Sequence, residues 1–357
     1  MTAPWERRKP PYIIAEIGVN HDGDVSRAIE LTDAAADAGA SAIKLQCFST
    51  DHLMSRAARL AAYQRNAGER DPFAMLRRLE LTLDEMAVIV ERAQKRGVDA
   101  IVTVFSVELV KPCAELDWTC FKSASPDIIH RPLLEAMAAT GRPLIVSTGA
   151  ATLEEVERAA AWLRPCAAGL AFLQCVSSYP TPPEFAAIGA MASIAEATHT
   201  PVGYSDHTAS TDTGAIAVQC GARILEKHLT YDCAAAGPDH AASLDPDAFA
   251  TYVTLARQAA MAPIGGRGSD SSNATNDVRI GTPLKSVLPV EKDVRRASRQ
   301  SIVTMRELHA GDTITSSDVT FKRPGSGIEP WRLDEILGRH ITRTVEVDTP
   351  LTDADLA

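Results

Sequence analysis

Two histidines stand at the ends of short apolar runs and indicate a metal site. His207 lies in the stretch G-Y-S-D-H-T, and His228 lies in the next such segment, I-L-E-K-H-L-T. One histidine beside an apolar run usually serves packing, but two at matching places favour a shared role. Imidazole nitrogen suits divalent transition metals, and an acid such as Glu16 or Asp239 would add an oxygen ligand. Because positions stay open for water and substrate, the site would be catalytic.

Two lysines within apolar segments, Lys44 and Lys122, indicate an anion site close to the histidines. An unpaired ammonium inside a strand costs several kcal/mol, so its presence there needs an explanation. Several hydroxyl side chains occupy comparable places in other segments. Lysines and hydroxyls that converge on one point would bind a phosphate and a carboxylate.

An eightfold alternation of strand and helix patterns predicts an α/β fold, the (β/α)8 TIM barrel. Apolar runs with strand character alternate with segments of helical spacing, such as the one that Gly39 ends. No G-x-G-x-x-G follows the first run, which weakens a dinucleotide-binding alternative. The eight runs are Y-I-I-A-E-I-G-V, A-I-K-L-Q-C-F, A-I-V-T-V-F, T-C-F-K-S-A, P-L-I-V-S-T-G, L-A-F-L-Q-C-V-S-S, P-V-G-Y-S-D and I-L-E-K-H-L-T.

Polar residues mark the carboxyl end of every predicted strand, where a barrel of this kind builds its active site. Barrel interiors also bury polar side chains that satisfy one another, which is the alternative reading for any single one. Taken together they predict one polar mouth. In chain order they are Glu16, Lys44, Gln46, Thr103, Lys122, Ser123, Ser125, Ser147, Thr148, Gln174, Ser177, Tyr179, Ser205, His207, Glu226 and His228.

The rest of the chain predicts a second, smaller domain. A Gly-, Ser- and Asn-rich stretch without periodicity follows Met261 and resembles a linker, and short strand-like segments come after it. We therefore expect a barrel domain over 1–268, a linker over 269–292 and a small β-rich domain over 293–357.

Composition narrows the function classes. The formal charge of -10 and the absence of a long basic run argue against nucleic acid or an anionic membrane as the main partner. The seven cysteines form no C-x-x-C pair and are typical of reduced thiols. Without a signal-like or membrane-spanning apolar stretch, we expect a cytoplasmic protein that acts on small molecules.

Nine segments in order resemble the sialic acid synthases, which condense phosphoenolpyruvate with an N-acetylated aldose such as N-acetylmannosamine to give a nine-carbon keto acid. They are A-E-I-G-V-N-H-D-G, A-I-K-L-Q, F-K-S-A-S, L-I-V-S-T-G, Q-C-V-S-S-Y-P-T-P, V-G-Y-S-D-H-T, I-L-E-K-H-L-T, G-P-D-H-A-A-S-L-D-P and K-R-P-G-S-G-I. The resemblance implies a TIM barrel, an antifreeze-like (SAF) domain and a domain-swapped homodimer.

The resemblance also implies roles for individual residues. His207 and His228 would bind Mn2+ or Mg2+, and Arg323 would reach across the dimer to the sugar's N-acetyl group. Glu16 and Lys122 would take part in catalysis. Phosphoenolpyruvate would lie among Lys44, Thr103, Lys122, Ser125, Ser147, Ser177 and Ser205, with Glu16, Gln46, Tyr179 and Asp239 around the aldose and the metal.

Two positions depart from the family pattern. Where K-I-x-S-G-E is usual, this chain has K-S-A-S-P-D, so the catalytic acid or base would be Asp127, one methylene shorter and preceded by a proline. Such a change moves a carboxylate by about 1 Å, enough to slow a reaction. Cys47 stands where threonine is common, and we expect it to serve packing.

Three alternatives stay open from the sequence. The acceptor could instead be a diacetamido-trideoxy hexose, which would give legionaminic or pseudaminic acid. A barrel metallohydrolase lacks the H-x-H pair expected on the first strand. A non-catalytic sugar-binding homologue is favoured only by Asp127 and its proline.

Overall fold

The computed structural model describes residues 2–7, 11–166, 168–261 and 277–357. Eight parallel strands form a closed barrel in chain order, because β1 (Tyr12–Glu16) pairs with both β2 (Ala42–Cys47) and β8 (Ile224–His228). The predicted TIM barrel is therefore confirmed. The other barrel strands are β3 (Asp99–Val104), β4 (Cys120–Ser123), β5 (Leu144–Ser147), β6 (Leu170–Cys175) and β7 (Val202–Asp206).

Helices separate the strands, as the periodicity predicted. The helix Val25–Asp37 is preceded by Asp24, whose carboxylate accepts a hydrogen bond from the Ser26 amide at 2.8 Å. The helix ends before Gly39, which adopts a left-handed conformation with a φ of 85°. No helix in the described ranges is long and apolar enough to cross a membrane. Further helices are Pro4–Arg7, Thr50–Leu53, Ala62–Asn66, Pro72–Leu79, Leu83–Lys95, Val107–Cys113, Arg131–Ala139, Leu153–Leu163, Met191–Thr198, Thr213–Gln219, Pro246–Met261, Lys292–Ser298 and Leu333–Ile336.

The barrel interior has an apolar floor beneath a polar upper layer. Side chains two residues apart on a strand share a face, so the apolar Ile14 and the acidic Glu16 of β1 both point inward. Trp5, from the amino-terminal helix, packs into the floor and is completely buried. Six further strands repeat this arrangement, with one residue in the floor and the residue two positions later in the cavity. These residues are Ala42 and Lys44, Ile101 and Thr103, Cys120 and Lys122, Ile145 and Ser147, Leu173 and Cys175, and Ile224 and Glu226.

The carboxyl-terminal residues form a small domain with its own core. Its strands β9 (Ser301–Thr304) and β10 (Val319–Lys322) pair antiparallel. Ile302 and Leu308 belong to its buried cluster. The predicted linker lies partly outside the described residues, and its described end includes the short 3-10 helix Pro289–Glu291. The predicted domain boundaries stay predictions.

The small domain packs on the barrel of the same chain. The Arg323 amide donates to Leu53 O at 2.8 Å, and the Ser55 amide donates to Arg323 O at 3.0 Å. Deeper in the contact, Gln300 Nε2 donates to Phe105 O at 2.9 Å. These main-chain and side-chain bonds place residues of the small domain at the barrel mouth.

A buried carboxylate anchors this contact. Glu155, on the helix after β5, accepts two hydrogen bonds from Arg295 and two from Arg299, at 2.7 to 2.9 Å. Burial by itself raises the pKa of Glu155, but the hydrogen bonds from the two guanidinium groups outweigh it and lower the pKa to about 2. The carboxylate is therefore charged throughout the neutral range.

We expect Glu155→Gln to lower the free energy of unfolding by about 3 kcal/mol, because the buried Arg299 and the half-buried Arg295 lose their counter-charge. Urea unfolding measures the effect, and the matched control is Glu154→Gln, whose side chain is 81% exposed. Since the pKa of Glu155 is lowered from 4.5 to about 2, the difference from wild type should be full above pH 4.5 and shrink as the pH falls to about 2. Equal losses in both variants would contradict the assignment.

Candidate active site

A cavity opens at the carboxyl ends of the barrel strands, where the polar residues were expected to meet. Of the residues predicted to form the polar mouth, all line it except Ser123, Thr148 and Gln174, which point elsewhere or lie behind it. Of the residues given a role in the site, only Asp127 does not line it. The structure thus brings together Glu16, Lys44, Gln46, Thr103, Lys122, Ser125, Ser147, Ser177, Tyr179, Ser205, His207, His228, Asp239 and Arg323. The chemical roles assigned to them stay predictions.

Both lysines of the cavity are paired with carboxylates. Lys44 contacts Glu16 and lies 3.9 Å from Glu226, and it donates to Thr103 Oγ1 at 3.0 Å. The nitrogen of Lys122 lies 3.4 Å from the other oxygen of Glu226. Glu226 therefore bridges two ammonium groups, which explains how the barrel accommodates them.

Burial governs the protonation of this network. It lowers the pKa of Lys44 to about 7, against the opposing charge of Glu226. For Glu226 itself, burial raises the pKa, but the charges of Lys122 and Lys44 outweigh it and the net shift is downward. An anionic ligand that displaced a carboxylate here would find ammonium groups already in place.

Serine hydroxyls form the side of the cavity at the carboxyl ends of β4 to β6. Lys122 donates to Ser147 Oγ at 2.8 Å, and Ser125 Oγ accepts from the Gly149 amide at 3.0 Å. Ser177 Oγ is buried and has no hydrogen-bond partner among the described residues. A Cβ at Gly149 would lie 2.3 Å from Ser177 Oγ, so only glycine lets the hydroxyls approach this closely. This is the side best equipped to receive an oxyanion.

The two histidines lie side by side, with ring centroids 5.3 Å apart. His207 Nδ1 lies 3.0 Å from Val176 O and must donate to it, which leaves the Nε2 lone pair free in the neutral ring. Burial, followed by the charge of His207, lowers the pKa of His228 well below 6.5, so this ring is neutral, and its buried Nδ1 has no hydrogen-bond partner among the described residues. Burial lowers the pKa of His207, but Cys175, the Val176 carbonyl and Glu226 outweigh it, so the net shift is upward. The neutral His228 and the deprotonated form of His207 would suit a divalent metal.

The carboxylates proposed to complete a metal site are not gathered around these rings. Both oxygens of Glu16 are engaged, one by the Gly18 amide at 2.9 Å and the other by Lys44. Within the described ranges, no group of three or more His, Cys, Asp or Glu residues is placed to hold a metal ion. Asp239 lines the cavity, and burial raises its pKa to about 6. The metal stays a prediction that rests on the two histidines.

Aromatic side chains and Arg323 surround the outer part of the cavity. The Tyr179 ring lies 4.2 Å from the His207 ring and 4.8 Å from that of Tyr63. The Arg323 guanidinium lies over Phe105, 5.5 Å from the ring centroid. Arg323 belongs to the same chain as the barrel it covers here, and the predicted exchange between two chains stays a prediction.

The sequence reasoning missed an apolar wall on this side of the cavity. It comes from the connection between β2 and β3, which holds extra helices besides Leu83–Lys95, and the signal was its length. Gln46, whose amide donates to Gly18 O at 2.8 Å, lies next to it. From this connection the wall takes Phe48, Leu53, Met75, Leu76 and Leu79, and Phe105, directly after β3, completes it.

Asp127 lies behind the cavity rather than on its surface. Its neighbours Ser125 and Pro126 line the cavity, but the Asp127 carboxyl is completely buried and accepts a hydrogen bond from Gln300 at 3.1 Å. Burial raises the pKa of Asp127 to about 7, and the charge of Arg323 limits that rise. Cys47 also lies off the cavity, in the core between strands and helices, as expected for a packing residue.

Fold and site define a two-domain TIM-barrel protein with an ion-paired polar pocket at the barrel mouth and a small domain over it. The family model described as the NeuB family matches residues 31–267, and that of the SAF domain matches residues 299–357. The chain therefore belongs to the NeuB family and ends in a SAF domain.

Individual relatives cover about three quarters of the chain or more. An N,N'-diacetyllegionaminic acid synthase of Legionella pneumophila is 33% identical over 95% of this chain and 93% of its own. The crystal structure of the spore coat polysaccharide biosynthesis protein spsE from Bacillus subtilis superposes with a TM-score of 0.79 at 27% identity, covering 98% of this chain and 95% of its own. That of a sialic acid synthetase from Leptospira borgpetersenii gives 0.65 at 31% identity, covering 74% and 90%.

The raised pKa of Asp127 predicts a pH-dependent stability. Because the pKa is raised from 3.8 to about 7, the buried carboxyl stabilises the fold at low pH and loses that contribution as the pH rises to about 7. As the pH rises from about 4 to about 8, the unfolding free energy of Asp127→Asn should increase by about 2 to 4 kcal/mol relative to that of the wild type. Urea midpoints across that range measure the gain, and a constant difference would contradict the raised pKa.

Proposed function

We propose that the protein condenses phosphoenolpyruvate with an N-acetylated aldose of the N-acetylmannosamine type and water, giving a nine-carbon 2-keto acid of the N-acetylneuraminate type and phosphate. The observation that carries the proposal is the convergence of Lys44, Lys122 and the serine hydroxyls on one side of a cavity whose other side carries aromatic and apolar groups. Membership of the NeuB family and the names of the relatives support it.

Phosphoenolpyruvate would bind on the lysine and serine side. Lys44 and Lys122, with Thr103, would hold its phosphate and carboxylate, since ammonium and hydroxyl groups donate to both. Ser125, Ser147, Ser177 and Ser205 would fix the orientation. The hydroxyl of Ser177, which bonds to none of the described residues, offers a donor without breaking an existing bond. The ammonium groups would then offset the charge of phosphate as it leaves.

The aldose would lie between Gln46, Tyr179, Asp239 and Arg323. His207 and His228 would hold a Mn2+ or Mg2+ ion, which when bound supplies a Lewis acid for the aldose carbonyl. The enol carbon C3 attacks that carbonyl, water adds at C2, and the tetrahedral intermediate expels phosphate. Carboxylates near C2, such as Glu16, would stabilise the positive charge that develops there.

Asp127 stays our proposed acid or base for the added water. A carboxyl whose pKa lies at about 7 suits proton transfer at neutral pH. Since Asp127 faces Gln300 behind the cavity surface, this role requires its side chain to turn toward the cavity beside Ser125.

A second candidate acceptor is a diacetamido-trideoxy hexose, which would give a legionaminic-type or pseudaminic-type product. The apolar wall favours it, because a 6-deoxy methyl group and a second acetamido methyl group would gain from contact with Met75 and Leu76, whereas hydroxyls would not. The legionaminic acid synthase among the relatives adds support.

Incubation with phosphoenolpyruvate, Mn2+ and each candidate sugar tests both acceptors. We expect phosphate release and one product with the mass of aldose plus pyruvate, and removal of the metal by a chelator should abolish both. N-acetylmannosamine turnover would support the first acceptor, and exclusive turnover of the diacetamido sugar would support the second. If neither sugar leads to phosphate release, the result would favour a non-catalytic sugar-binding homologue.

We also propose that the protein works in the cytoplasm as a domain-swapped homodimer. The contacts that Arg323 makes with Leu53 and Ser55 would then form between two chains instead of within one. The small domain would close the partner's cavity with the same residues.

Mixing two inactive variants shows whether the small domain covers the barrel of its own chain or that of the partner. His228→Ala removes a metal ligand from the barrel, and Arg323→Ala removes the arginine of the small domain, so each alone should lose activity while staying folded. In a swapped dimer, refolding the two together creates one intact site from the unaltered barrel of one chain and the unaltered small domain of the other. We expect up to about a quarter of wild-type activity for random pairing. No recovery would contradict the swap, and normal activity of His228→Ala alone would remove the metal assignment.

A further inference from the structure

The segment between the two family matches takes part in the candidate active site. The barrel match ends at residue 267 and the SAF match begins at residue 299, so residues 277–298 belong to neither. Nevertheless Val294 and Ser298 of this segment line the cavity. The segment is therefore more than a connection between domains.

Glu291 is the most deeply placed residue of this segment. Its side chain is completely buried, although a carboxylate is costly to bury without partners. One oxygen accepts hydrogen bonds from the Ala150 amide at 2.6 Å and the Ser177 amide at 2.9 Å, and the other accepts from the Leu288 amide at 2.9 Å. Glu291 thus ties together the loops that follow β5 and β6.

The loop after β5 is held from its carbonyl side as well. Ala150 has a φ of 52°, a left-handed conformation that is unusual for alanine, and its carbonyl accepts hydrogen bonds from Arg295 and Arg299. A non-glycine residue keeps such a conformation when its surroundings impose it. Glu291 and these arginines, all outside the barrel strands, supply that constraint.

The held loops carry the hydroxyl side of the cavity. The Gly149 amide, next to Ala150, donates to Ser125 Oγ. The hydroxyl of Ser177, without a hydrogen-bond partner in the described part of the chain, belongs to the same residue whose amide donates to Glu291. A shift of the Ala150 amide would therefore move the donors that face an oxyanion. Glu291 does not itself line the cavity.

We propose that Glu291 is a positioning residue for the phosphoenolpyruvate side of the site. Through Glu291, the inter-domain segment fixes the positions of the serine hydroxyls. This inference rests on the proposed function. It assigns Glu291 no contact with substrate and no effect on the aldose side.

The test is Glu291→Gln in the full-length, Mn2+-loaded protein. An amide has the size of the carboxylate but lacks its charge, and its NH2 group cannot accept the backbone bonds. We expect KM for phosphoenolpyruvate, and its Kd measured calorimetrically without aldose, to rise about tenfold or more, while KM for the aldose stays within about twofold. The matched control is the exposed Glu154→Gln, which should leave all three constants unchanged.

A second variant covers the case in which Glu291→Gln does not fold. Arg295→Gln removes a donor to the Ala150 carbonyl, and its side chain is partly exposed, so it should raise KM for phosphoenolpyruvate selectively but less. Unchanged constants in a folded variant, or equal rises for both substrates, would overturn the positioning role. A wild-type protein that neither binds phosphoenolpyruvate nor releases phosphate from it would instead overturn the proposed function.

Discussion

The bridging of Lys44 and Lys122 by Glu226 is the interaction on which the site depends. Two ammonium groups buried in a barrel repel each other and lose their hydration, so they need a shared counter-charge. Glu226 provides it, and Glu16 pairs with Lys44 from the other side. The result is a polar layer that is charged yet internally balanced before any ligand arrives.

Strand geometry explains how this layer could be predicted from sequence. An inward apolar residue followed two positions later by a polar one is visible on β1 as Ile14 and Glu16 and on β4 as Cys120 and Lys122. Because parallel strands end at the same side of a barrel, the polar residues had to converge. Periodicity thus predicted most of the cavity lining without knowledge of side-chain contacts, but it also assigned Ser123, Thr148 and Gln174 to the mouth, and these do not line it.

What the sequence could not reveal depends on long-range packing. Which lysine pairs with which acid, and the burial that raises the pKa of Asp127, follow from distances between strands and domains. The contact of Gln300 with Asp127 joins positions far apart in the chain, and no spacing rule connects them. The apolar wall was missed for another reason, because helix Pro72–Leu79 lies in the connection between β2 and β3, about which the periodicity of the strands says nothing.

The small domain is attached beside the cavity by backbone hydrogen bonds between Arg323 and the segment Leu53–Ser55. Its attachment at this point therefore does not depend on which side chains line the cavity. These hydrogen bonds use amides and carbonyls, which every residue except proline provides in full. Side chains along the neighbouring wall, including Met75 and Leu76, can therefore be exchanged without loosening the attachment of the small domain. A lineage could diversify the sugars it accepts while keeping the same architecture over the barrel.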